Sequence, residues 1–159
     1  MTDAATDAAP PPQGRPPTLL GLPSYLAGHV SRIGHSTLVG ELASRGLRLP
    51  HFAIFAGLHD FGSLPHNELA DRLGLNRSHL VGYLDELEDK DAIERSRDSS
   101  DRRRQLISLT LPGEELASEL IEYARSGEAT DLSVLNTSEL ATLTKLLRRV
   151  VEADDGRER

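Results

Sequence analysis

Cysteine is absent from the 159-residue sequence, and aromatic residues make up only 4% of it. The absence of thiols excludes disulfide bonds, thiolate zinc sites, iron–sulfur clusters, cysteine nucleophiles and thiol-based redox sensing. No apolar run approaches the roughly 18 residues that a membrane-spanning helix needs. Residues 1–17 also lack the basic start and apolar centre of a secretory signal. We therefore expect a cytoplasmic protein that does not bind membranes.

Charge is unevenly distributed along this acidic chain. The net charge is −7 at pH 7, which weakly disfavours a nucleic-acid partner because phosphates attract Lys and Arg. Residues 95–104, however, contain five arginines and two aspartates, a net charge of +3, so the rest of the chain carries −10. A local basic patch on an acidic body is compatible with DNA binding, and repulsion by the body would suppress non-specific contacts.

The length fits one domain with terminal appendages, since domains commonly span about 100–200 residues. Five prolines among residues 10–17 predict a disordered tail over residues 1–20, and the charged residues 154–159 predict a frayed end. Residues 21–153 are predicted to form a single, mostly α-helical domain of the α+β class. Apolar spacing and cap residues predict helices over 23–45, 50–61, 65–73 and 77–90, followed by strands over 92–97 and 104–111. Two further helices are predicted to start at residues 113 and 137, and the first of them is predicted to kink at Gly127.

The helix over residues 77–90 has two different faces. Leu80, Leu84 and Leu87 form a stripe predicted to be buried, with Val81 beside it. The opposite face is polar and carries Ser78 or His79, Gly82, Tyr83 and Glu86. Asn76 is a good cap for this helix, and Gly74 suits the left-handed turn that precedes it.

A short helix, a glycine turn, a second helix with one polar face and a basic β-hairpin together predict a winged helix-turn-helix. An α-helix fits the major groove of DNA, about 12 Å wide, where the base edges are distinguishable. An arginine on the hairpin can enter the narrow minor groove, where the negative potential is deepest. The pattern therefore favours a DNA-binding protein.

Four segments of the sequence strengthen this interpretation. They are NELADRLG over residues 67–74, Asn76-Arg77-Ser78, Asp101-Arg102-Arg103 and Leu109-Thr110. Together they resemble the MarR family of transcriptional regulators, and the resemblance covers residues 20–153. Three features depart from the family pattern: Pro65 stands where Ser or Thr usually caps the first helix, Ser99 replaces the usual proline of the wing, and the proline-rich N-terminal tail is an extension.

The resemblance implies a homodimer with a winged helix-turn-helix over about 48–111 and dimerisation helices over about 23–45 and 113–153. Two heads about one DNA turn apart, roughly 34 Å, would bind a pseudo-palindromic operator. Family members are commonly repressors that release double-stranded DNA when a small aromatic or anionic effector binds between the dimerisation helices and the head.

The candidate DNA-binding residues lie on the second helix of the motif and on the wing. They are Arg77, Ser78, His79, Tyr83, Arg102, Arg103 and Arg104. Arg103 matches the family's wing-tip arginine, although Arg102 takes that role if the tip register shifts. Arg77 would bind a phosphate or a guanine edge, and Ser78 a phosphate at the helix N-terminus. Asp101 is expected to brace one of these arginines rather than contact DNA.

An effector site is predicted on the first two helices, which usually wall the family's ligand crevice. Tyr25, His29, Arg32 and His51 are the candidate ligand-binding residues, because a cation there would hold a carboxylate. No metal site and no cofactor are expected, since the histidine spacing is not that of a ligand set.

Two other functions are weighed against this one. A winged-helix module that binds protein instead of DNA would suit the net charge of −7. An enzyme lacks support, because the sequence has no phosphate-binding glycine loop, no metal triad and no paired carboxylates in a recognisable frame.

Overall fold

The computed structural model describes residues 14–101 and 103–156. Most of the predicted tail, the wing residue Arg102 and residues 157–159 lie outside the described residues. The chain divides into two units, Met1–Ile33 and Gly34–Arg159. No helix in the described part of the chain is both long enough and apolar enough to cross a membrane.

The described elements are mostly helical and follow one another in a simple order. They are α1 (Pro17–Leu20), α2 (Pro23–Gly34), α3 (Ser36–Ser44), α4 (Leu49–Phe61), β1 (Leu64–Pro65), α5 (His66–Leu73), α6 (Arg77–Asp89), β2 (Ile93–Arg97), β3 (Gln105–Leu109), α7 (Leu111–Asp131) and α8 (Thr137–Asp155). The predicted tail therefore extends too far, because residues 17–20 form one helical turn that starts at Pro17.

The prediction of a single helix over residues 23–45 is wrong, because the helix is interrupted at His35, between α2 and α3. The cause is a contact that is distant in sequence. The backbone N–H and the hydroxyl of Thr37 donate to the two carboxylate oxygens of Asp131, at 2.8 and 2.7 Å. Asp131 thus caps the start of α3 from the end of α7. Both hydrogen bonds lower the pKa of the Asp131 carboxyl, and the bond from the Thr37 hydroxyl has the larger effect.

Helix α7 continues through Gly127, where the sequence predicts a kink. This glycine lies against α3: a Cβ there would be 3.0 Å from the methyl group of Thr37. Its role is therefore close helix packing and not bending.

The core of the second unit lies between the helices α3, α4, α5, α6 and α7 and a small sheet. Its fully buried side chains include Leu42, Ile54, Phe55, Leu69, Leu80, Leu84, Leu87, Ile93, Ile107 and Leu120. The antiparallel sheet has the order β1-β3-β2, with Leu64 opposite Ile107 and Ile93 opposite Leu109. The two-residue strand β1 is too short to give an alternating pattern, so the sequence does not predict it.

Strand β3 ends at Leu109, two residues before the predicted end. The next residue, Thr110, caps α7 instead: its hydroxyl accepts the Gly113 N–H at 3.1 Å and donates to the Asp91 carbonyl. Leu111, the last residue of the predicted strand, is instead the first residue of α7, and its side chain is 71% exposed.

Candidate nucleic-acid interface

Helices α5 and α6 and the turn between them form the predicted helix-turn-helix. Gly74 has the left-handed conformation predicted for it, with φ of 61°. The cap at Asn76 is confirmed, since its carboxamide oxygen accepts the Ser78 backbone N–H at 2.9 Å and the Ser78 hydroxyl at 2.5 Å. Pro65, which stands in place of the family's usual cap residue, is the cap residue of α5 and makes no side-chain hydrogen bond to the helix.

The inner face of α6 matches the sequence prediction at the three leucines, Leu80, Leu84 and Leu87, which are fully buried. The prediction for Val81 is wrong, because this side chain is 46% exposed. The three leucines already fill the inner face, and a turn of 100° per residue carries Val81 to its flank.

Tyr83 does not share the free polar face predicted for it. His79 is exposed, but Tyr83 is half-buried and packs against the core. Its ring lies edge-on to His51, with the ring centroids 5.3 Å apart, and 5.1 Å from the guanidinium carbon of Arg48. This flank of α6 is therefore covered by the start of α4.

Arg77 is exposed at the start of α6. Its guanidinium group donates to both carboxylate oxygens of Asp71, at 3.0 and 3.1 Å. This ion pair joins α5 to α6, and because both side chains are exposed, it holds the arginine only weakly.

The four arginines of the basic segment that the structure describes do not form one patch. Arg95 is only 19% exposed and pairs with Asp85, at 2.7 Å, and with Glu88, so its charge is used to hold β2 against α6. Arg97, Arg103 and Arg104 are exposed. The positive charge available on the wing is therefore concentrated towards its tip.

Two aspartates fold the tip of the wing. Asp98 accepts the N–H and the hydroxyl of Ser100, at 2.8 and 2.7 Å, and the hydroxyl bond is the main cause that lowers the pKa of the Asp98 carboxyl. Asp101 accepts the backbone N–H of Arg103 at 3.0 Å. Asp101 thus braces Arg103 through its backbone and leaves its guanidinium group exposed.

Three of the predicted effector residues lie together on α2. The rings of Tyr25 and His29 meet edge-on with centroids 4.4 Å apart, and Arg32 donates to His29 Nδ1 at 2.5 Å. Loss of hydration, followed by the charges of Arg15 and Arg32, lowers the pKa of His29 and keeps its imidazole neutral. The fourth candidate, His51, belongs to the second unit and is buried there.

A cluster that sequence reasoning missed joins α4 to α6. Arg48 Nη2 donates to both carboxylate oxygens of Glu86, at 2.8 and 3.0 Å, and His51 Nε2 lies 3.0 Å from the second of these oxygens. The available signal is the pair Arg48 and His51 at the cap and third positions of a helix, where a side chain often bonds back to the cap N–H. Within the ranges that the structure describes, no three His, Asp or Glu side chains are placed to hold a metal ion.

The arrangement of α5, α6 and the hairpin β2–β3 defines a winged helix-turn-helix protein. The MarR family model matches residues 47–104, which is this same part of the chain. This match relates the winged helix-turn-helix part of the chain to the MarR family of transcriptional regulators.

Three named proteins are similar to this chain in sequence or in fold. The transcriptional repressor NicR of Pseudomonas putida is 26% identical over 104 residues, which are 65% of this chain and 66% of NicR, just under two thirds of its length. The structure of Bordetella bronchiseptica BpsR, a protein whose DNA binding is regulated by 6-hydroxynicotinic acid, has a TM-score of 0.72 at 20% identity and covers 82% of this chain and 94% of BpsR. A mutant of MarR from E. coli, complexed with operator DNA, has a TM-score of 0.69 at 23% identity over 80% and 91% of the two chains.

Proposed function

We propose that this protein is a sequence-specific transcriptional repressor that binds a pseudo-palindromic operator as a homodimer. The observation that carries the proposal is the exposed start of α6 beside a wing whose tip presents Arg103 and Arg104. The similarity to NicR and to a MarR protein described with operator DNA supports the same role.

In this proposal α6 enters the major groove with its N-terminal turn. Backbone N–H groups of that turn bind a phosphate, and the Ser78 hydroxyl turns from Asn76 to the same phosphate. Arg77 and His79 contact a phosphate or a base edge. Tyr83 contributes to DNA binding indirectly, because its contacts with Arg48 and His51 hold α6 in place. Arg103 enters the adjacent minor groove, with Arg104 and Arg102 as neighbouring cations.

The dimer forms through the helices outside the winged head. Helix α8 contributes no buried residue in this structure, yet it carries an apolar stripe with Leu146, Leu147, Val150 and Val151 exposed. A stripe of this kind needs a partner, and a second copy of α8 with a similar surface provides one. Two heads then bind half-sites about 34 Å apart.

The effector is a small aromatic anion, and Tyr25, His29 and Arg32 bind it. The ring of Tyr25 stacks on the aromatic part, while Arg32 binds the carboxylate. BpsR provides a precedent, because 6-hydroxynicotinic acid regulates its DNA binding. An effector releases the operator only if it binds more tightly to a dimer whose head spacing does not match the operator.

Arg103→Ala is expected to weaken operator binding about tenfold and to reduce the slope of log affinity against log salt by about one, because one cation is lost from the negative minor groove. The operator is first obtained by selecting bound fragments from the source genome, and affinities are then measured by gel retardation from about 50 to 200 mM salt. Arg125→Ala removes an exposed arginine from α7 and is the control. Unchanged affinity and slope in the Arg103 variant contradict the wing assignment.

Arg32→Ala is expected to raise the concentration of aromatic carboxylate that releases the operator by about tenfold, since a charge-assisted bidentate bond is lost. The probe is 6-hydroxynicotinic acid, titrated into the protein–operator complex. Operator affinity without the probe should stay unchanged. Equal release of the operator from both proteins rules out Arg32 as the anchor.

A winged-helix module that binds protein is the second candidate, because the chain outside the wing has a net charge of −10. This function predicts that no DNA is retarded at low salt. A wild-type protein that retards only its selected fragments excludes it.

A further inference from the structure

His51 is the one polar side chain that the described part of the chain buries completely in its core, with 0% of its surface exposed. Its Nδ1 accepts the backbone N–H of Arg48 at 3.0 Å. A nitrogen that accepts a hydrogen bond carries no proton, so the neutral ring is protonated at Nε2. Nε2 lies 3.0 Å from a carboxylate oxygen of Glu86.

Glu86 receives a second support from α4. The Arg48 guanidinium group donates to both of its carboxylate oxygens and is the main cause that lowers the pKa of Glu86. Arg48 and His51 also contact the ring of Tyr83, one turn earlier on α6. Two adjacent turns of α6 are thereby fixed against the N-terminus of α4.

A free carboxylate on a helix that enters DNA is unfavourable, because it repels phosphates. Glu86 differs from such a residue, since both of its oxygens accept hydrogen bonds from Arg48 and one of them lies 3.0 Å from His51 Nε2. Its contribution to binding would come from the orientation of α6 and not from direct contact.

We infer that Arg48, His51 and Glu86 are positioning residues that set the rotation of α6 for operator binding, and that proton uptake by His51 loosens this arrangement. The inference rests on the proposed DNA-binding function. The groups that face His51 are Tyr83, Glu86 and Lys90 from α6 and its end, and Arg48 from the start of its own helix.

The direction of the pH effect follows from the hydrogen bonds. A proton on Nδ1 removes the acceptor of the Arg48 N–H and places a charge in the core. Burial, the main cause, keeps the pKa of His51 below its ordinary value of about 6.5. The contribution of the neutral ring is therefore present above a pH of about 6.5 and is lost as the pH falls through the lowered pKa.

Glu86→Gln tests the positioning role, because it removes the charge and keeps the shape. We expect operator affinity to fall about fivefold, as for a modest ion pair, while the thermal unfolding midpoint stays close to that of the wild type. Asp89→Asn removes an exposed carboxylate from the same helix and is the matched control. A simple repulsion between Glu86 and DNA predicts the opposite, a rise in affinity for operator and random DNA in both variants.

His51→Gln tests the proton-linked part. Glutamine at this third helical position can accept the Arg48 N–H as Nδ1 of the neutral ring does, but it does not titrate in this range. Each protein is compared with its own operator affinity at about pH 7.5, and by about pH 5.5 the wild type should have lost about fivefold more affinity than the variant. His79 is present in both proteins, so any effect it has cancels in the ratio.

His59→Gln, an exposed site on the same helix, should follow the wild-type pH profile. Parallel profiles for wild type and His51→Gln overturn the proton-linked role, and wild-type affinity in Glu86→Gln overturns the positioning role. If wild-type protein retards no DNA, the proposed function fails instead, which is a separate result.

Discussion

Gly113→Ala is expected to destabilise the fold by about 3 kcal/mol or more, among the largest effects of a single methyl group. A Cβ at this position would lie 1.8 Å from the carbonyl oxygen of Ala92 and 2.8 Å from its carbonyl carbon. Both atoms are backbone, so no side-chain rotation relieves the clash. The start of α7 would have to move away from β2.

This movement would also break local hydrogen bonds. The Thr110 hydroxyl accepts the Gly113 N–H, and the Thr110 N–H donates to the same Ala92 carbonyl. The free energy of unfolding is measured by urea denaturation of the whole chain. Because Gly113 and Ala92 meet where the wing joins the rest of the fold, operator affinity should fall together with the free energy of unfolding.

Gly40→Ala is the control for the glycine substitution itself. Gly40 lies exposed on α3, and a Cβ there meets nothing within 4 Å. Alanine favours the helix, so this variant should be more stable by about 0.5–1 kcal/mol. Similar stabilities of the two variants would show that the backbone of α7 does not approach β2 as closely as described.

Features governed by neighbouring residues were predictable from the sequence. Asn76 caps α6, Gly74 adopts the left-handed turn, and the stripe Leu80, Leu84 and Leu87 is buried. Each depends on residues within two turns of one another, so spacing and residue type are sufficient.

The errors occur where a distant residue decides the local structure. The break at His35 depends on Asp131, which caps Thr37 from almost a hundred residues further along the chain. The end of β3 depends on Thr110, whose hydroxyl bonds to Asp91 and to α7. Patterns within one segment cannot reveal such partners.

The sequence predicts where the residues of the candidate site lie better than it predicts which of them form ion pairs. The sequence identifies a basic wing, but it does not reveal that Arg95 is neutralised by Asp85 and Glu88. It also places Tyr83 and Glu86 on a free polar face, whereas Arg48 and His51 cover them. Residue type gives the charge of each group, and only the packing shows which charges remain available to DNA.

Leu147→Asp is expected to abolish the dimer and operator binding together, and Leu143→Asp should do the same. Leu147 is 42% exposed on α8, within the apolar stripe that the proposed dimer buries. A two-fold interface repeats the change, so two leucines are lost and two carboxylates are buried or excluded. We expect association to weaken at least about a thousandfold, from about 2 kcal/mol of lost burial for each leucine.

Loss of the dimer has a further effect on DNA binding, because a monomer contacts only one half-site. Sedimentation velocity and operator retardation on the same samples should therefore change in parallel. Val134→Asp, at a position 89% exposed between α7 and α8, introduces the same charge outside the stripe and should leave both measurements unchanged. A Leu147→Asp monomer that binds the operator with wild-type affinity would show that one winged head is sufficient, and the two-fold model would then be wrong.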